Sequence, residues 1–186
     1  MLFRSGSATG VAGNITTTTS TRDAGANYIY NGSVQQTTSS LPNTVTGNVI
    51  INNSAGVLFN YGKAVNSPGS FIVKSGSSVS FGTGIGGNTY NLTGTGNFIA
   101  ESGSTLIITS SNGIAADVNS GNIRMSGTRT FGSGVNYSFT KSDAVNASNF
   151  GASFGSEISS INNLTINNPM GARMATNITR SEEHTS

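Results

Sequence analysis

Few side chains in this sequence can do chemistry, and their spacing limits them further. The 186 residues include no cysteine, one histidine and seven carboxylates. The histidine, His184, lies among the last seven residues. Residues 6–179 therefore cannot form a Ser-His-Asp or Cys-His arrangement, nor an ordinary zinc site. Glycosidic cleavage needs carboxylates grouped around one bond. Asp23, Glu101, Asp117, Asp143 and Glu157 instead fall in different stretches of the chain. Lys141 and Asp143 lie two residues apart, which reads as an exposed ion pair on a loop.

Three motif matches fail on context. Gly82-Thr-Gly-Ile-Gly-Gly87 satisfies GxGxxG and has Glu101 downstream, but the following Asn88-Thr-Tyr-Asn-Leu92 is strand-like where a dinucleotide site needs a helix. The same stretch approaches a calcium-binding nonapeptide, yet places Asn91 where the ligating Asp belongs. Ser138-Phe-Thr-Lys141 matches SxxK, but alternates like a strand and has no KTG partner. Asn14, Asn91 and Asn163 open Asn-x-Ser/Thr triplets at a frequency the composition alone explains. The expectation is a protein that is not an enzyme, with no catalytic, cofactor-binding or metal-binding residues and no cofactor.

Composition defines what remains. Ser (29), Thr (23), Asn (23) and Gly (25) supply 100 of the 186 residues, while only 9% are charged and 34% hydrophobic. Disordered chains of low hydrophobicity are normally highly charged, which this one is not. Its Val, Ile and Phe come in short bunches that favour strands. Helical bundles, disulfide scaffolds, collagen and membrane spans are excluded. A net charge of +2 with no basic patch gives no reason to expect nucleic acid.

The two ends differ from the middle. Codons for Met1-Leu2-Phe3-Arg4-Ser5 and Arg180-Ser181-Glu182-Glu183-His184-Thr185-Ser186 can spell the two arms of a widely used sequencing-library adapter. The expectation is that residues 1–5 and 180–186 are adapter-derived, and that 6–179 form one repeat domain of a longer protein.

Within that domain a short motif repeats. Asn48–Phe59 aligns without gaps on Ser70–Phe81 and Asn97–Ile108, and loosely on Asn163–Met174, with Asn122–Met125 as a partial copy. Each copy reads polar, apolar-x-apolar, polar turn, apolar-x-apolar. A longer echo relates Gly13…Tyr28 to Gly121…Tyr137, and Leu41–Asn53 to Glu157–Asn168. Strands this short cannot bury a face alone, so similar units must stack in parallel. Val, Ile, Leu and Phe then point inward, Ser, Thr and Asn outward, with Asn and Gly at corners. The fold expected is an all-β parallel β-solenoid, with an antiparallel β-sandwich as the alternative. The offset of 27 places Phe71 beside Phe98, Val79 beside Leu106, and Lys74 beside Glu101. Residues 6–24 are expected to form a frayed strand unit, and 143–160 an irregular loop.

Gly25-Ala-Asn-Tyr-Ile-Tyr-Asn-Gly32, Gly127-Thr-Arg-Thr-Phe131 and Ile161-Asn-Asn-Leu-Thr-Ile-Asn-Asn168 resemble the repeats of large secreted bacterial surface proteins, adhesin-like β-solenoid stalks. The resemblance implies a right-handed β-helix, an extracellular or cell-surface location and a structural spacer role. The partners expected are neighbouring repeats of the same parent chain. A second reading has a solenoid face binding carbohydrate or another cell-surface ligand; a polysaccharide lyase or hydrolase is a third.

Overall fold

The computed structural model describes residues 1–14, 21–82, 90–114, 120–140, 148–149 and 157–173. Every strand pairing among them is parallel. The antiparallel alternative is excluded, and the fold is a parallel β-solenoid. Three sheets run along the stack. Sheet A orders β1 (Leu2–Ser5), β2 (Asn27–Tyr30), β5 (Val49–Ile51), β8 (Ser70–Val73), β11 (Asn97–Ala100) and β14 (Arg129–Phe131). Sheet B orders β3 (Gln36–Thr37), β6 (Val57–Leu58), β9 (Ser78–Ser80), β12 (Thr105–Ile108), β15 (Asn136–Phe139) and β17 (Leu164–Ile166). Sheet C orders β4 (Thr44–Val45), β7 (Lys63–Val65), β10 (Leu92–Gly94) and β13 (Ile123–Met125). Four successive coils, from β2 to β13, visit A, then B, then C. A separate pair joins β16 (Ser148–Asn149) to β18 (Ala172–Arg173).

The period-2 alternation builds the core. In sheet A, Tyr28, Val49, Phe71 and Phe98 stack in register, as do Tyr30, Ile51, Val73 and Ala100, all buried. In sheet B, Val57, Val79, Leu106 and Tyr137 do the same. Phe59 bridges the walls, with its ring 5.7 Å from Phe71 and 5.1 Å from Phe81. The register expected for Phe71–Phe98, Val79–Leu106 and Lys74–Glu101 is present in full.

A column of glycines makes the turn from sheet C into sheet A. A Cβ on Gly69 would lie 2.3 Å from the Gly47 carbonyl oxygen, one on Gly96 2.3 Å from that of Gly69, and one on Gly127 2.3 Å from that of Gly96. The backbones approach too closely for any other residue. Beside this column runs an amide ladder. Asn27 Oδ1 accepts from the Asn48 amide at 2.7 Å, Asn48 Oδ1 from Ser70 at 3.0 Å, and Asn97 Oδ1 from Thr128 at 3.0 Å.

Several expectations are corrected. Ile123–Met125 lies in sheet C, and Arg129–Phe131 takes the sheet A position expected for it. Leu164–Ile166 joins sheet B, the second strand of the motif, although the loose alignment placed it with the first. The long echo is therefore not a structural repeat, because Tyr28 lies in sheet A and Tyr137 in sheet B. In both cases alternation alone cannot tell one wall from another. Gly10–Asn14 forms a 3-10 helix where a strand unit was expected. Ser148–Asn149 pairs as a strand inside the expected loop. Sheet A starts at Leu2–Ser5, with Phe3 stacked on Tyr28 at 5.4 Å. Outward positions are not uniformly polar either. Ile29, Ile50, Ile72 and Ile99 form an in-register column on the outer surface of sheet A, each half-buried by its neighbours.

Candidate functional site: the corner between sheets B and C

The three corners of the coil are not equivalent. From sheet A to sheet B the register-equivalent residues are Tyr28 and Gln36, Val49 and Val57, Phe71 and Val79, Phe98 and Leu106, Arg129 and Tyr137. The spacing never changes. From sheet B to sheet C the connections are 38–43, 59–62, 81–91 and 109–122, which lengthen strongly in the third and fourth coils. Repeat proteins accept insertions where they do not disturb the stack, and such faces commonly carry binding.

The two long connections are tied together by Asn122, which is fully buried. Its Oδ1 accepts from the Thr109 and Ser110 amides, both at 2.9 Å, and its Nδ2 donates to the Tyr90 carbonyl at 2.9 Å. Thr109 Oγ1 donates to the Phe81 carbonyl, and the Tyr90 amide to that of Gly82 at 3.2 Å. Tyr90 is thus fixed through its backbone. Its ring packs on Tyr61 at 6.0 Å between centroids, and Tyr61 is 58% exposed. Beside this pair opens a cleft of about 370 Å³, lined by Leu58, Phe59, Asn60, Ser80, Gly82, Tyr90, Thr109 and Thr140.

One coil earlier the same corner buries Lys63 at a position held by Leu92 in the next coil. Its Nζ donates to the Leu41 carbonyl at 2.7 Å and to Asn43 Oδ1 at 3.2 Å. Burial pushes the amine below its ordinary pKa.

The residues singled out in the sequence take structural places. Glu101 binds Lys74, whose hydrogen bond holds the carboxyl below the usual carboxylate range. Glu157 receives Arg129 Nη2 at 2.9 Å. Asp23 Oδ1 accepts from the Gly25 amide at 2.8 Å. The structure does not bring these carboxylates together, and no cluster of three metal-ligating side chains occurs among the described residues. Ser138 lies on β15, so its backbone is a strand and not the helix start that SxxK requires. Gly82 and Asn91 lie near the two ends of the long third-coil connection, and the chain then enters β10. Asp117, Lys141, Asp143 and His184, together with 83–89 of the glycine-rich stretch, lie outside the described residues. Sequence reasoning missed Tyr61, Tyr90 and Asn122. The available signal was the uneven spacing of the repeats, which marks an insertion.

The chain matches no protein-family model, no curated protein and no solved structure. No helix among the described residues is long and apolar enough to cross a membrane.

Proposed function

We propose that this domain is a non-catalytic structural module, a stalk segment of a secreted or cell-surface, adhesin-like bacterial protein. The observation that carries the reading is the invariant arc from sheet A to sheet B, repeated in register through five coils. Such a stack grows by about 4.8 Å per coil and resists bending, because each added strand is bonded along its length to the one before. The charged groups support the same reading. Lys74–Glu101 and Arg129–Glu157 each join one coil to the next, so that both ion pairs serve the stack.

Single-molecule pulling tests the proposal. A stalk should unravel coil by coil, each step releasing roughly 21–31 residues at about 3.5 Å per residue. Collapse in one event at low force, or turnover of a polysaccharide by the purified chain, would contradict a structural role.

A further inference from the structure

We propose that the cleft between sheets B and C is a binding site for a neutral, extended oligosaccharide. This goes beyond the stalk reading and does not depend on it.

The lining fixes the chemistry of the ligand. No Asp, Glu, Lys or Arg is among the eight residues that line the cleft. Among these described residues a phosphate, a sulfate or a polyuronate would find no counter-charge, and a metal ion no carboxylate. What the cleft offers is hydroxyl and amide groups from Asn60, Ser80 and Thr140, beside the apolar surfaces of Leu58 and Tyr90. Sugars present the complementary pattern, with hydroxyls around the ring edge and apolar C–H faces.

The aromatic pair supplies the second observation. Tyr61 is the one exposed aromatic ring among the described residues. It is backed by Tyr90, which Asn122 holds in place from within the core. A large ring kept at the surface on a rigid support suits stacking against a ligand, since little side-chain freedom is lost on binding.

Spacing is the third. Asn60, Gly82, Thr109 and Thr140 each stand two residues beyond the paired positions Leu58, Ser80, Ile107 and Ser138. They form one row along the stack, rising about 4.8 Å per coil. That step is close to the advance of one pyranose unit along an extended chain. Gly82 and Thr109 interrupt the row: a Cβ on Gly82 would lie 2.6 Å from the Phe59 carbonyl oxygen, and Thr109 is buried with its hydroxyl donated to the Phe81 carbonyl.

The chain contains no tryptophan, and Tyr28, Tyr30 and Tyr137 are buried, so a ligand-induced change in tyrosine emission reports chiefly on Tyr61 and Tyr90. The whole chain would be titrated with cellohexaose, xylohexaose, mannohexaose and chitohexaose, with oligogalacturonate as the charged comparison. The expected result is saturable binding of at least one neutral hexasaccharide. Tyr61→Ala should weaken it roughly tenfold without changing the melting temperature, while Tyr61→Phe retains it. Absence of binding across the neutral panel, equal affinity in Tyr61→Ala, or preference for oligogalacturonate would overturn the proposal. The coil-by-coil unravelling expected of a stalk is read separately and is unaffected by any of these outcomes.

Discussion

Phe71 and Phe98 lie in register on adjacent coils, with ring centroids 6.0 Å apart and planes within 8° of parallel. They are 27 residues apart in sequence, and nothing between them interrupts their stacking. That coil is longer than the one before it, 27 residues against 22, yet Phe98 meets Phe71 in the same register as Phe71 meets Val49. The core is translationally regular even where the sequence is not.

Phe98→Ala removes the middle ring of a column that continues to Phe131, 5.4 Å beyond. The lost burial and the cavity left behind should cost about 3–5 kcal/mol. Chemical denaturation of the variant and parent would measure it. A loss below about 1 kcal/mol would mean that the ring is not enclosed on both sides.

The glycine column makes a sharper demand. At Gly96 a single methyl meets the Gly69 carbonyl oxygen at 2.3 Å, and the Gly127 backbone closes on Gly96 in the same way from the next coil. Gly96→Ala should therefore destabilise by about 1–3 kcal/mol through backbone displacement. Gly76 has φ 72° but no atom within 4 Å of an added Cβ, so Gly76→Asn should be far milder. Thermal melts of the two variants separate crowding from backbone conformation.

How much of this was legible follows from which residues repeat. The apolar-x-apolar pairs of sheets A and B recur at a constant separation, and the gapless offsets of 22 and 27 gave their register directly. Sheet C was not legible. Its strands are short, one of them buries Lys63 where an apolar residue is expected, and variable insertions precede it. Ile123-Arg-Met125 consequently passed for a sheet A strand. The column Gly47, Gly69, Gly96 and Gly127, each two residues before the sheet A position in register with Phe98, would have placed Arg129 there correctly. The outward isoleucines stayed hidden because a run such as Val49-Ile-Ile51 is apolar on both faces. The cleft was hidden for another reason: Ser, Thr and Asn are everywhere in this chain, and Tyr61 and Tyr90 share no motif.

Tyr30 is buried, and its hydroxyl has no hydrogen-bond partner among the described residues. Tyr30→Phe should therefore stabilise the protein by about 1–3 kcal/mol near neutral pH. Burial also raises the phenol pKa far above 10. Above about pH 10 the unfolded chain loses this proton while the folded chain keeps it, so stability falls as pH rises. The slope approaches about 1.4 kcal/mol per pH unit for each such tyrosine, and Tyr137 shares the behaviour. In Tyr30→Phe the alkaline loss should be shallower by one group. An unchanged slope would show that Tyr30 is not enclosed.

Lys63 acts in the opposite sense. Its folded pKa is lowered by burial, so below that value the amine is charged in both states and the full penalty applies. As pH climbs from the folded pKa towards about 10.4, the unfolded chain binds the extra proton and stability rises. Lys63→Met should abolish that rise. Denaturation midpoints from pH 7 to 10 test it, and parallel curves for parent and variant would contradict the buried placement.

The central claim is the parallel, in-register stack, and pairwise disulfide formation tests it most directly because the chain has no native cysteine to interfere. Ile72 and Ile99 are register partners on the outer face of sheet A, with Cα atoms separated by about one strand spacing of ~4.8 Å. Ile72→Cys combined with Ile99→Cys should oxidise readily within one chain, giving a single cross-linked peptide by mass spectrometry. Ile72→Cys combined with Glu101→Cys is displaced by two residues along the strand and should stay reduced, since its Cα separation exceeds about 7 Å. The reverse outcome, or equal cross-linking in both, would contradict the stack.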